Sequence, residues 1–355
     1  MRKRLQITLL ATLSLLSFAA CGAPKNTEPA DPTKAATEQS SNTVTTPVIQ
    51  EEEKEDVSSQ PSTTITASPT EQDPSLPPWI DSMPEDYIPP ENDPLPDGLE
   101  YALDALYGPE ITGYHGTATE ITLPRVVEWL SICKIGDYAF QNNTTLKSVT
   151  IPDDHKYIYG SGIFSNCSNL EEVHLPKDLT TLPYEIFSGC TSLKTIVLPE
   201  TITHLTGFTF ANCSSLESIT LPEGVDYIGI YAFQNCSNLR HITIPEKVTE
   251  LTGYNFWGCS SLESVDIRGQ ITTLGLGTFK DCKKLKSISF AEGLTSIGSI
   301  AFSGCTDLSI VTLPESVESI ASDAFQKCPF LTFEVKEGSY AHQYAVSHGI
   351  PFVTY

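Results

Sequence analysis

From Phe140 onward the chain repeats one pattern of apolar and polar positions. Phe recurs at 140, 164, 187, 210, 233, 256, 279, 302 and 325, with a first interval of 24 residues and 23 thereafter. Leu recurs in step at 146, 170, 193, 216, 239, 262, 285, 308 and 331. The unit reads C-x-x-L-x-x-[IV]-x-L-P-x-x-[VI]-x-x-[IL]-G-x-x-A-F-x-x. Alternation within L-x-x-[IV]-x-L predicts one short strand per unit, its apolar residues turned inward. The Pro that follows ends the strand, because it has no N–H to give to a ladder. A second apolar pair, such as Val225 and Ile228 or Val317 and Ile320, returns to the core, and Phe fills the far side. No unit of this length buries its own apolar face, so units are stable only when stacked. The pattern therefore predicts a repeat solenoid of about nine coils with one short parallel strand each. At strand spacing its length is on the order of 40 Å.

A period in the twenties containing L-x-x-[IV]-x-L marks a leucine-rich repeat. Residues 97–355 are assigned to it: an N-terminal cap at 97–132, repeats at 133–336 and a C-terminal cap at 337–355. The outward columns carry further information. The residue after the repeat Leu alternates in sign, as Lys147, Glu171, Lys194, Glu217, Arg240, Glu263 and Lys286. Side by side on stacked strands these stabilise the correct register, and a slip of one coil sets like charges together. Short polar columns flank them, with Ser148, Thr195, Ser218, Ser264 and Ser287 in one. This suits a solvated strand face that could receive an extended partner. Aromatic residues cluster once. Phe208, Tyr231 and Tyr254 precede the repeat Phe by two, and Trp257 follows it. Facing outward they form a partner-binding stripe; packed over the coil edge they are structural.

Cysteine is the second strict column, at Cys167, Cys190, Cys213, Cys236, Cys259, Cys282, Cys305 and Cys328. Neighbours on adjacent coils lie about 4.8 Å apart with parallel side chains. Their Cβ atoms are then further apart than the usual disulfide allows. The column reads as a ladder of free thiols, small hydrophobes in a narrow inner row. Cys133 lies off this register, and the first unit has Asn143 where Cys is expected. No C-x-x-C or Cys/His pairing supplies converging metal ligands, so no metal or other cofactor is expected.

Composition completes the picture at the N-terminus. Residues 1–21 combine a basic start, an apolar run and Ala19-Ala20 before Cys21, which reads as a signal peptide ending in a lipobox. The expectation is lipid attachment at Cys21, anchoring the chain to a bacterial membrane on its outer side. Residues 22–96 are rich in Pro, Ser, Thr, Glu and Asp, and read as a disordered acidic stalk. The formal charge of −23 and the lack of a basic patch exclude nucleic acid as an expected partner. The seven histidines show no ligand spacing, and no nucleophile–base motif appears, so an enzyme is not expected. The Asn-Cys-Ser triplets at 166, 212 and 235 match a glycosylation acceptor but sit where the repeat turns, and are read as turn residues.

The repeat unit, the entry segment EITGYHGTATEITLP (110–124) and the exit EGSYAHQYAVSHGIPF (337–352) resemble the BspA-like, or Treponema-type, bacterial leucine-rich repeats. The resemblance covers the chain from Leu99 onward. It implies a starting hairpin at the entry, and a helix and final strand at the exit. It also implies a surface or secreted protein, in some members an adhesin. The functional expectation is a lipid-anchored extracellular binding module for protein, with a polysaccharide or cell-wall glycan ligand, or a structural envelope role, as the alternatives.

Overall fold

The computed structural model describes residues 92–355, except 105–107, 128–129, 133 and 156–157. The signal peptide, Cys21, Cys133 and nearly all of the stalk lie outside the described residues. Parallel strands stack along two sides of the solenoid. On the first side Glu120–Thr122, Ser148–Thr150 and Glu172–His174 form one ladder. His241–Ile244 then pairs with Ser264–Ile267, and Ser287–Ser289, Ile310–Leu313, Thr332–Val335 and Phe352–Thr354 form the last ladder. Residues 193–198 and 216–221 follow the same path without a regular ladder. The second side carries Thr181–Leu182, His204–Leu205 and Tyr227–Ile228, then Glu250–Gly253, Thr273–Leu276, Ser296–Ile297 and Ser319–Ile320. Partners such as Ile242 and Val265, or Leu274 and Ile297, are 23 residues apart, so the sequence period is the pairing register.

Between the two sides lies the core. The predicted inward pairs are buried, Val225 and Ile228 among them. The Phe column is a continuous stack. Adjacent rings from Phe164 to Phe325 are 5.0–5.9 Å apart and within 19° of parallel. Eight of the nine repeat Phe side chains are essentially fully buried, and each such burial contributes about 1.5–3 kcal/mol. The stack is plugged by residues outside the repeat pattern. Tyr114 packs 5.7 Å from Phe140 at one end. At the other, Phe333 meets Phe325 edge-on at 5.0 Å, and Tyr344 follows, its hydroxyl donating to Ala321 O at 3.0 Å.

The N-terminal cap differs from the sequence expectation. The hairpin is Leu99–Asp104 against Gly108–Tyr114, so it begins earlier than the segment at 110–124 suggested. Glu120–Thr122 is not cap but the strand of a further coil, which brings the solenoid to about ten turns. Its inward Ile121 and Leu123 follow the repeat rule and Phe140 closes the unit, but His115 and Ala118 stand where the repeat Cys and Leu are expected. Asp93, which the sequence assigns to the stalk, is held by Arg125. Its carboxylate accepts from the backbone N at 2.5 Å, from Nε at 3.1 Å and from Nη2 at 2.8 Å. The side-chain bond from Arg125 holds the Asp93 carboxyl below its ordinary pKa.

The C-terminal cap follows the expectation. Helix Tyr340–His348 starts at Ser339, whose side chain accepts from His342 N, and ends at Gly349 in the left-handed region at φ 66°. Ala341, Tyr344 and Ala345 are its buried face, and they close the apolar end of the core.

Candidate binding surface

In all but the last coil, residues on both sides of the repeat Phe adopt positive φ and shape the turn around it. The residue two after Phe does so at Asn142, Asn166, Gly189, Asn212, Asn235, Gly258, Asp281, Gly304 and Lys327. Asn, Asp and Gly tolerate this geometry best, so the Asn-Cys-Ser triplets are turn residues. The residue two before Phe does so in every coil but the last, where Asp323 stands. Its non-glycine occupants are Tyr138, Glu185, Phe208, Tyr231, Tyr254 and Ile300, at φ 48–58°. A side chain there costs roughly 1–2 kcal/mol relative to glycine. Gly162 and Gly277 occupy the same column, and in each case the Tyr ring of the preceding coil lies where a β-carbon would sit.

The bulky members form an aromatic ridge. Phe208 and Tyr231 stack at 4.7 Å, and Tyr231 and Tyr254 at 4.9 Å and 6°. Trp257 tilts against Tyr254 at 5.4 Å, donates Nε1–H to Asp281 at 3.2 Å, and carries Lys280 Nζ 4.6 Å from a ring centroid. All four predicted residues are half-buried, so the ridge is neither a free outward stripe nor a covered one. Tyr184, which the sequence reading missed, extends it edge-on at 5.5 Å from Phe208. It sits three residues before its Phe rather than two, so a search of the neighbouring column would have found it. The rings of Phe208, Tyr231 and Tyr254 face one another from coil to coil, and their side chains stay partly exposed. Burial raises the pKa of Tyr184 and Tyr231, which keeps those phenols protonated.

The cysteine column begins one residue after the second positive-φ position of the same turn, as Cys167 follows Asn166. The eight ladder cysteines are free thiols, buried except for the partly buried Cys328. They do more than fill space. Each Sγ donates to the carbonyl of the Phe one coil back, from Cys167 to Phe140 O at 3.0 Å through Cys328 to Phe302 O at 3.1 Å. The same carbonyl accepts the N–H of its own coil's Cys, as Phe164 O does from Cys167. Periodicity shows that a small side chain belongs there, but not that its hydrogen has an acceptor. At the ladder's start Asn143 instead accepts from Thr145 N at 2.9 Å and Leu146 N at 2.8 Å, securing the turn where there is no earlier rung.

On the strand face the alternating charges make ion pairs at two of six steps, Lys147–Glu171 and Glu263–Lys286, both at 3.4 Å. Pairs this exposed contribute little to stability, so the alternation acts mainly against misregister. Val197 stands 85% exposed among the polar columns. His241 Nδ1 lies 2.6 Å from Ser264 Oγ, and His204 lies 2.7 Å from Thr203 Oγ1 and 3.5 Å from Asp226. His155 is the one buried histidine among the described residues, with Nε2 2.8 Å from Pro124 O, and burial lowers its pKa. Among the described residues no group of three or more His, Cys, Asp or Glu is placed to hold a metal ion, and no helix is long and apolar enough to cross a membrane.

No curated protein matches the chain. Among solved structures it is similar to the T. pallidum leucine-rich repeat protein, at 28% identity and TM-score 0.49, over 54% of this chain and 91% of that one. It is similar to a leucine-rich cell surface protein of Faecalibacterium prausnitzii, at 25% identity and TM-score 0.33, over 73% and 98%. It is also similar to the pneumococcal vaccine antigen PcpA, at 16% identity and TM-score 0.36, over 75% and 98%. The family model for the BspA type leucine-rich repeat region matches in six copies over residues 114–229 and 203–332. The 23-residue register, the stacked Phe column and this match together place the chain in the BspA type leucine-rich repeat family.

Proposed function

We propose that this chain is a binding module displayed at a bacterial surface, and that it engages a protein partner along the ridge from Tyr184 to Trp257. One observation carries the reading. Phe208, Tyr231 and Tyr254 are aromatic at positions where the backbone favours glycine. Their stacking returns about 0.5–1.5 kcal/mol per pair, similar to the strain of the left-handed backbone. Stacking and strain therefore largely offset each other, and Gly162 and Gly277 show that the column is also built without aromatic rings. Tyr and Trp side chains are among the groups that anchor protein interfaces. A glycan platform is supported less, because sugars stack on ring faces. Here the faces are turned to one another, and one face of Trp257 carries Lys280.

The test replaces Tyr231 and Tyr254 by Gly and Trp257 by Ser, then probes parent and variant on arrays of extracellular proteins and of glycans. The variant is expected to unfold at a denaturant concentration close to the parent's, because two glycines relieve strain. Binding to protein spots is expected to fall at least tenfold, about 1.4 kcal/mol. Undiminished binding, or binding confined to glycans, overturns the proposal.

Display is proposed to rest on acyl chains at Cys21, each buried CH₂ adding about 0.8 kcal/mol of membrane affinity. Cys21→Ala is expected to move the protein from the membrane fraction to the medium. Retention of the variant in the membrane fraction would count against the lipid anchor.

A further inference from the structure

We propose that the acidic run Glu51–Asp56 of this same chain docks on a patch formed by Lys280, Lys283 and Lys284, beside the Trp257 end of the ridge. The repeat marks the patch as a local departure. The residue after the repeat Cys is Ser or Thr at 168, 191, 214, 237, 260 and 306, but Lys at 283. The residue after that is Ser or Asn at 169, 192, 215, 238 and 261, but Lys at 284. The residue after the repeat Phe is neutral in every other coil, but Lys at 280. Stacking does not ask for these changes. In the first of these columns a hydroxyl donates to the carbonyl one coil back, as Thr191 Oγ1 does to Ser168 O and Ser237 Oγ to Ser214 O, both at 3.2 Å. Lys283 has no hydroxyl for that bond. Lys280 holds its Nζ 4.6 Å from the Trp257 ring centroid, and Lys283 and Lys284 are exposed. Among the described residues neither Lys283 nor Lys284 is in an ion pair. Lys286, two residues on, is already matched by Glu263 at 3.4 Å. The adjacent carboxylates have partners of their own: Asp281 accepts from Trp257 Nε1, and Asp307 Oδ1 lies 3.5 Å from Thr306 Oγ1.

Charge and reach select the occupant. Glu51, Glu52, Glu53, Glu55 and Asp56 put five carboxylates in six residues, the densest acidic run of the chain. The stalk meets the solenoid at Asp93, which Arg125 clamps beside the coil of Glu120–Thr122. The lysine patch lies seven coils further on, roughly 34 Å along the axis at strand spacing. Asp56 lies 37 residues before Asp93. With residues 22–96 read as a disordered stalk, a coil of that length has an end-to-end distance of roughly 30–37 Å. Local concentration is greatest where the length of a linker matches the span between sites, and here the two agree. Other acidic residues of the stalk fit less well. Glu85 and Asp86 reach at most about 28 Å from Asp93 even when fully extended. Glu71 and Asp73 have the reach but supply two carboxylates in place of five. An acidic segment of another molecule has to compete with a tethered one, whose local concentration is on the order of a millimolar. The contact does not depend on what the ridge binds.

The test is cross-linking of the full chain with a carbodiimide, which joins a carboxylate to an amine only where the two touch. Lys194 is the internal control. It is exposed, in no ion pair among the described residues, and nearer to Asp93 along the solenoid, so the same tether reaches it. In about 0.05 M salt, links from residues 51–56 to Lys280, Lys283 and Lys284 are expected to outnumber links to Lys194 about tenfold, within the monomer band and at every protein concentration. In about 1 M salt, where the screening length falls to about 3 Å, that excess is expected to vanish. A second measurement leaves the chain unlinked. Glu51→Gln, Glu52→Gln, Glu53→Gln, Glu55→Gln and Asp56→Asn together are expected to raise the acetylation rates of Lys283 and Lys284 severalfold, with that of Lys194 unchanged. Links spread evenly over Lys194 and the patch overturn the proposal, as do links formed chiefly between two chains, or acetylation rates of Lys283 and Lys284 that the substitutions leave as they were.

Discussion

Replacement of Phe256 by Ala is expected to lower the stability of the solenoid by about 3–5 kcal/mol. Phe256 is fully buried and lies in the middle of the stack, 5.4 Å and nearly parallel to both Phe233 and Phe279. Removing it deletes two ring contacts and opens a void between coils whose spacing is fixed by the strand ladders on both sides. Those ladders hold the neighbouring coils apart, so the void does not collapse, and the cost falls at the upper end for a core aromatic. Position matters as well as chemistry. A solenoid is a chain of nearest-neighbour interfaces, and a weak interface in the middle separates two blocks that each retain most of their own contacts. The urea transition followed by circular dichroism should therefore shift to lower concentration and broaden. Trp257, adjacent in sequence, reports the local event by fluorescence. The same change at Phe325, which is slightly exposed near the end of the stack, should cost less and leave the transition sharp. A loss below about 1 kcal/mol at Phe256 would show that the ring stack is not what couples the coils.

What the sequence disclosed and what it withheld have one physical origin. Periodicity reports which positions share an environment, because stacked coils place equivalent residues in line. Register, the Phe core and the inward pairs were legible for that reason, whereas the C-terminal helix was expected from the family resemblance of residues 337–352. The additional coil at Glu120–Thr122 was not, because it carries the inward apolar residues of the repeat without its Leu and Cys. Tyr114, which plugs the stack, is outside every repeat column and is revealed only by its contact with Phe140. The clamp of Asp93 on Arg125 joins residues 32 apart, and no periodic signal connects them. Orientation was the deeper gap. The aromatic cluster was found by spacing, but spacing does not show whether rings meet solvent or one another. In the fold they do both: the faces stack on one another while the residues stay half-buried.

The cysteine ladder leads to the second large effect. Native thiols in it are expected to react with maleimide at pH 8 at least a thousandfold more slowly than the same thiols in urea. The nucleophile is the thiolate. Burial pushes Cys167 and Cys213 up to about 12, and Cys190, Cys236, Cys282 and Cys305 well above their ordinary value. At about 12, roughly one thiol in ten thousand is ionised at pH 8, against about one in four for an unperturbed cysteine. Steric exclusion slows the native reaction further, because the Sγ atoms point to Phe carbonyls inside the coil rather than to water. What labelling remains should follow local opening, and so read out the stability of each coil. Cys328, pushed only to about 11 and partly exposed at the end of the column, is expected to label first. In urea without reductant, all eight ladder thiols should become available. A shortfall would mean that rungs had paired as disulfides. Equally fast labelling in the folded protein would mean that the column is open to solvent. The expected result would explain how the ladder stays reduced in the displayed role proposed above: oxidation and exchange both begin at a thiolate, and the stacked coils deny these sulfurs that form.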